Sequence, residues 1–285
     1  MEEFSMQNFN YHTHTYRCLH ADLDLSDEEY ILDFIKMGFK KMAFTDHCPE
    51  KNIIDARPNI RMEYSQKSEY LDSIKKLKEK YVDKIEIQTG FEVEYLPGDE
   101  ENLKELKSES DKIILGQHFI YNNDKSDLLI FGSHNFSDDE LIKYSEYIET
   151  AMKLQIPDII AHPDIYMLNR KSFGDIESKV ANIICSASEK YNVPLEINLN
   201  NIFNRTYYEN KKLNNLPIEE QRKKLSAVAY PYKEFWDIAS NYNIKVVYGI
   251  DAHHRGHILL WNELLELAKD VIGSETIEKL NFIEE

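Results

Sequence analysis

Short runs of alternating apolar and polar residues are separated along the chain by longer stretches whose apolar positions recur every three or four residues, the rhythm of strands and amphipathic helices. Phe9 to His14 reads as a first strand. Ser26-Asp27-Glu28-Glu29 fits a capping box that opens a helix, Tyr30, Ile31, Phe34 and Ile35 supply its apolar stripe, and Gly38 is a natural stop. Lys41 to Thr45 is strand two. The spacing of Tyr70, Leu71, Ile74, Leu77 and Tyr81 predicts a helix over 65–81, and Lys84 to Phe91 a third strand. A short helix over 99–106 leads to strand four, Lys112 to Gly116. Phe119 to Phe136 reads as a loop, and Ser137-Asp138-Asp139-Glu140 caps a helix running to about Leu154. Asp158 to Ala161, Pro194 to Leu199 and Ile244 to Gly249 complete seven strands, with helices over 176–191, 232–242 and 258–271. Residues 200–229 break the rhythm, and a polar segment of that length reads as a substrate lid.

Strands alternating with helices predict an α/β fold with a mostly parallel sheet, and no shift in composition divides residues 1–285, so they read as one domain. The ends of the strands carry the chemistry. His12 and His14 alternate onto one strand face, and His20, His47, Glu92, His118, His162, Asp251 and His253 each lie where a strand gives way to a loop. Neutral imidazoles and carboxylates are ligands for divalent metals. An open sheet would gather ligands only near a switch point, so donors at the ends of at least six strands meet only if the sheet closes into a barrel, with the site at its carboxyl end. Nine donors exceed the needs of one zinc ion and suit two or three divalent metals, for which zinc, manganese and iron are equally matched. Such centres hold a bridging hydroxide and catalyse phosphoester hydrolysis, although amide and ester hydrolysis use them as well.

Composition narrows the partners. With 51 acidic against 34 basic residues the formal charge is −17, which repels a nucleic-acid backbone, so a phosphate-bearing substrate must be small and must meet a local reversal of charge that bound metals supply. Three scattered cysteines give no disulfide framework. Cys18 and Cys48 read as small buried residues. Neither a signal peptide nor a membrane-spanning run is present, and a cytoplasmic enzyme is the expectation; oligomeric state is not legible.

Seven segments taken together resemble the ordered motifs of the polymerase and histidinol phosphatase (PHP) superfamily: His12-Thr-His14, Cys18-Leu-His20-Ala21, Thr45-Asp-His47, Gly90-Phe-Glu92, Gly116-Gln-His118-Phe119-Ile120, Ala161-His162-Pro163-Asp164 and Gly249-Ile-Asp251-Ala252-His253. The resemblance implies a distorted (βα)7 barrel with a trinuclear centre. His12, His14 and Asp251 would hold the first metal, and His20, His47 and His253 the second; Glu92 would bridge the first and third, with His118 and His162 completing the third. The likeness is closest to the histidinol-phosphate phosphatases, through Cys18-Leu-His20-Ala21 and Tyr230-Pro231, and implies release of phosphate and L-histidinol in histidine biosynthesis through a metal-bridged hydroxide. Departures are the long segment between Glu196 and Tyr230, Ile250 where a serine is usual, and His254-Arg255 where a proline often follows.

Around the ligands, His254 and His257 are candidate catalytic residues, each placed either to donate a proton to the leaving group or to contact phosphate, with His257 equally readable as a surface residue at a helix start. Arg205 is the first choice for a phosphate clamp and Arg17 the second, because a guanidinium meets phosphate oxygens bidentately. Asp164 either orients a ligand or meets a cationic part of the substrate. The competing readings are a phosphodiesterase acting on a nucleotide or another small phosphorylated metabolite, and a metal-binding protein without turnover.

Overall fold

The computed structural model describes residues 7–49, 60–208, 217, 220 and 224–285. Seven parallel strands follow one another in chain order: β1 (Phe9–Asn10), β2 (Lys41–His47), β3 (Glu86–Val93), β4 (Lys112–Leu115), β7 (Ile159–Ile160), β8 (Leu195–Asn198) and β9 (Lys245–Gly249). Two features were absent from the sequence expectation. An eighth parallel strand, β10 (Asn281–Phe282), pairs with the start of β9, and the expected loop after β4 contains an antiparallel hairpin of β5 (Phe119–Tyr121) and β6 (Leu128–Ile130).

Between the strands run α1 (Asp27–Lys36), α2 (Lys67–Lys80), α3 (Glu100–Glu109), α4 (Asp138–Lys153), α5 (Asp175–Tyr191) and α7 (Lys233–Ala239), while α6 (Asn200–Phe203) starts the segment after β8. Past β9 come α8 (Arg255–Leu259), α9 (Trp261–Ile272) and α10 (Ser274–Lys279). The two serine caps form as read: Ser26 and Glu29 exchange hydrogen bonds at the start of α1, as do Ser137 and Glu140 at α4. Gly38, at φ +86°, follows the C-terminus of α1 in the left-handed conformation that only glycine adopts freely.

Alternation within each strand sorts side chains into two layers. Met42, Phe44, Phe91, Ile113, Leu115, Leu195, Ile197, Val246 and Tyr248 join the large cluster that packs against the helices. Phe9, Tyr11, Ala43, Ile114, Ile159, Ala161 and Val247 form a second, smaller cluster, a dry plug within the curled sheet. The seam between β1 and β9 is not a regular ladder. Thr13 bridges Ala252, with His14 N donating to Ala252 O and Ala252 N donating to His12 O. Gln7 bonds both backbone groups of Tyr248, and Asn10 Oδ1 accepts from Ile250 N. Side chains thus replace main chain where the barrel is distorted, and they carry the ends of β1 and β9 to one place.

Arg17 lies beside this seam. Its guanidinium, 1% exposed, makes a bidentate pair with Asp27 at 2.8 and 3.0 Å and a second pair with Glu69 at 2.9 and 3.0 Å, so it ties the turn after His14 to α1 and α2. Removing the guanidinium would leave Asp27 buried without its partner. Arg17→Met is therefore expected to lower unfolding free energy by about 3 kcal/mol or more, read from denaturant midpoints of metal-loaded protein.

Candidate metal centre

At the carboxyl end of the strands nine side chains converge, and Glu92 is their hub. Its Oε1 lies 2.9 Å from His162 Nε2, 3.5 Å from His12 Nε2 and 3.8 Å from His118 Nε2; its Oε2 lies 2.9 Å from His47 Nδ1 and 3.4 Å from His14 Nε2. Asp251 Oδ1 closes the first cluster at 3.1 Å from His14 Nε2 and 3.4 Å from His12 Nε2. His20, His47 and His253 form a second group whose ligand atoms lie within 4.8 Å of one another, and His12, Glu92 and His162 a third. His162 and Asp251 have φ of +29° and +50°, left-handed backbone that is costly for residues other than glycine and tolerated here where each side chain must turn into the centre.

Hydrogen bonds behind the histidines decide which nitrogen faces inward. His12 Nδ1 lies 3.0 Å from Glu196 Oε2, His118 Nδ1 lies 2.7 Å from Glu94 Oε1, and His20 Nδ1 lies 2.8 Å from the Cys18 carbonyl. His253 Nδ1 faces the Asp251 carbonyl at 3.1 Å, while His14 Nδ1 lies 3.5 Å from the Asp46 carboxylate without a hydrogen bond. With Nδ1–H donated outward in His12, His118, His20 and His253, Nε2 presents a lone pair to the centre. The Nε2 atoms of His12 and His14 then oppose each other at 3.1 Å, and His253 Nε2, Glu92 Oε2 and Asp251 Oδ1 are buried without a hydrogen-bond partner. Opposed lone pairs and unpartnered carboxylate oxygens repel in the absence of a cation, so the donor set fits divalent metals.

The electrostatics agree. Burial alone would raise the Glu92 and Asp251 carboxyls, yet the surrounding histidines outweigh it and hold both well below the usual carboxylate range. Burial would likewise lower His12, but Asp251, Glu196 and Glu92 raise it to about 10. His20 goes the other way, lowered to about 3 by burial and by repulsion from His253 and His14, and burial also lowers His47 and His253.

Two glycines make room for the carboxylates. A Cβ on Gly116 would lie 1.8 Å from Glu92 Oε1, and one on Gly249 2.1 Å from Glu196 Oε2. Glu196 in turn receives Asn198 Nδ2, which also donates to Asp251 Oδ2. Glu94, Asp46, Glu196 and Asn198 had no role in the sequence reading; the signal for Asp46 and Glu94 was a polar side chain one or two residues from a candidate ligand, and for Glu196 and Asn198 polar side chains alternating with Leu195, Ile197 and Leu199. Cys18 and Cys48 are buried, as expected, but Cys18 also comes within ligand distance of His14 and His253.

A cavity of about 480 Å³ opens above the centre. Its floor is His20, His47, Glu92, His118, Asp251 and His253; Phe119, Ile130, Phe131, Ile165 and Leu168 form an apolar wall; and Asn200, Asn204, Tyr230, His254 and His257 supply polar groups. Both candidate catalytic histidines thus reach the cavity. His254 Nδ1 is held by Asp22 at 2.7 Å, and His257, fully buried against the Phe203 ring at 3.8 Å, presents a partnerless Nε2. The phosphate clamps stand differently. Arg17 is committed to Asp27 and Glu69, and Arg205 lies in the turn Asn204–Tyr208 but is not among the residues lining the cavity. Asp164 faces the protein: it is fully buried and accepts from Tyr232 N at 2.6 Å and Trp236 Nε1 at 3.0 Å, and burial pushes its carboxyl up to about 7. Much of the expected lid, residues 209–216, 218–219 and 221–223, lies outside the described residues.

A curled parallel sheet that gathers histidines and carboxylates from nearly every strand end defines a metal-dependent hydrolase of the α/β-barrel class. The chain belongs to the PHP domain family, whose profile matches residues 10–200. It is 26% identical over 265 residues to the histidinol-phosphatase of Bacillus subtilis (strain 168), covering 89% of this chain and 96% of that one. A "probable histidinol-phosphatase" of Deinococcus radiodurans is 23% identical over 262 residues, covering 87% and 86%. The fold matches that of histidinol phosphate phosphatase from Lactococcus lactis subsp. lactis Il1403, solved with zinc, L-histidinol and phosphate, at a TM-score of 0.62 and 16% identity over 92% of this chain and 94% of that one.

Two outcomes follow from this geometry. Gly116→Ala should push Glu92 out of the centre and reduce bound metal, read by elemental analysis, while the protein stays folded. Metal binding should release protons at neutral pH. In the metal-free protein His12, raised from 6.5 to about 10, gives stability that is complete below pH 6.5 and fades as pH rises through about 10. Its Nε2 must therefore lose a proton to become a ligand, and titration calorimetry with zinc in buffers of different ionisation enthalpy should report at least one proton released per chain; equal heats in all buffers would contradict this.

Proposed function

We propose that this protein is a metal-dependent phosphomonoesterase that releases phosphate from histidinol phosphate, acting in histidine biosynthesis in the cytoplasm. The observation that carries the reading is that His12, His14, His20, His47, His118, His162, Asp251 and His253 gather around Glu92 in adjoining clusters beneath a small cavity, in a PHP-domain chain similar over most of its length to a histidinol-phosphatase. Divalent metals held by these residues would polarise phosphoryl oxygens and activate water at neutral pH.

The chain's own residues do the rest. Glu196 and Glu94 fix the inward nitrogens of His12 and His118, so this part of the centre is organised before substrate arrives. The apolar wall from Phe119 to Leu168 excludes water on one side and suits the flat body of a small substrate, and the dimensions of the cavity suit a metabolite rather than a polymer. On the opposite side Asp22 holds the His254 ring at the cavity, where its imidazole meets the substrate. The whole chain is read as one catalytic domain. Segment 200–229 is read as a cover over bound substrate because Asn200 and Asn204 at its start and Tyr230 just past its end line the cavity.

Metal-loaded protein is expected to release phosphate from histidinol phosphate with kcat/KM above about 10⁴ M⁻¹s⁻¹. Chelator, or the substitution His14→Ala, should reduce this by about 100-fold or more. Faster turnover of another phosphomonoester in a panel would keep the chemistry and replace the substrate.

A further inference from the structure

Tyr230 is a residue that neither the ligand set nor the histidine candidates use. It is 8% exposed, it lines the cavity, and its ring centroid lies 6.0 Å from that of His162. Many buried tyrosines of this fold spend their hydroxyl on a protein acceptor: Tyr70 on the Gly90 carbonyl, Tyr144 on the Pro163 carbonyl and Tyr166 on the Glu177 carbonyl. The hydroxyl of Tyr230 makes no hydrogen bond among the described residues. Its oxygen is not among the buried unpartnered atoms, so it opens onto the cavity, where a group that enters can accept the O–H.

The placement of this ring is enforced. Asp164, two residues beyond His162, grips Tyr232 N and Trp236 Nε1 and so holds the turn that carries Tyr230 against the same strand end that supplies a ligand. That is the service Asp164 performs in the site. A phenol carries one proton and can donate it in a hydrogen bond to an electron-rich acceptor. An acceptor must itself be rich in electrons and sit near His162, while Phe119, Ile130 and Leu168, which also line the cavity, serve the apolar body of a substrate.

We propose that Tyr230 binds substrate, its phenolic O–H donating to a phosphoryl oxygen of the phosphate ester. The inference rests on the phosphoesterase reading and adds to it a neutral donor outside the metal ligands. The test is Tyr230→Phe in the full-length, metal-loaded protein, with inorganic phosphate as the binding probe and both histidinol phosphate and p-nitrophenyl phosphate as substrates. Metal content and thermal midpoint should match the parent, because the deleted hydroxyl has no protein partner. Affinity for inorganic phosphate, measured by calorimetry, should fall about tenfold, and kcat/KM should fall by a similar factor with both esters, since a phosphoryl contact does not depend on the leaving group. Phosphate affinity within twofold of the parent, a loss confined to histidinol phosphate, or a loss of metal would each overturn the assignment. If the parent fails to hydrolyse histidinol phosphate while Tyr230→Phe still weakens phosphate binding, the substrate reading falls and this contact stands.

Discussion

A single buried carboxylate holds this site together. Glu92 faces five imidazoles, from His12, His14, His47, His118 and His162, which arrive on four different strand ends. Without a cation the arrangement is a collection of lone pairs pointed at one another, tolerable only because some of the histidines hold protons that metals would displace. The same residues therefore serve as an ionic cluster in the metal-free chain and as a ligand set in the loaded one, and the exchange of protons for metals links folding, metal uptake and pH through one group of atoms.

Holding carboxylates inside a barrel requires space as much as charge. The interior below the centre holds a cluster of buried apolar side chains, Phe9, Tyr11, Ala43, Ile114, Ile159, Ala161 and Val247. At the level of the centre the logic reverses, and Gly116 and Gly249 omit side chains where Glu92 and Glu196 need the volume. Packing density and ligand geometry are consequently one problem: a methyl group at either glycine would act on the metals through a carboxylate.

That these histidines and carboxylates would come together was legible in the sequence, because a parallel barrel puts one end of every strand in the same place. The helix caps were legible for a similar reason, since Ser26 with Glu29 and Ser137 with Glu140 act over three residues. What depends on distant partners was not. Arg17 sits close to His14 in sequence and looked available for phosphate, but Asp27 and Glu69, 10 and 52 residues away, claim it. Asp164 looked like a ligand's neighbour or a substrate contact, and its partners Tyr232 and Trp236 lie 68 and 72 residues further on. The eighth strand escaped notice because two residues carry no periodicity. The hairpin of β5 and β6 could have been found, since Phe119-Ile120-Tyr121 and Leu128-Leu129-Ile130 flank the turn-forming run Asn122-Asn123-Asp124.

The cavity divides its labour in a way the chain's overall charge explains. A protein carrying −17 has little reason to attract a phosphate ester, and among the described residues no lysine or arginine lines the cavity. On the proposed reading, metals in the centre would attract the phosphoryl group, which ties affinity for substrate to occupancy of the centre. Groups on the walls are then free to discriminate. A neutral phenol, asparagine side chains and imidazoles add directional hydrogen bonds without adding field, so they favour a tetrahedral phosphoryl group in one orientation, while the wall built by the β5–β6 hairpin and the turn after His162 selects the organic part by shape. Changes in that hairpin can alter the preferred ester without disturbing a single ligand, because Phe119 and Ile130 belong to the wall and His118, one residue earlier, is anchored separately by Glu94 through both its ring and its backbone N–H.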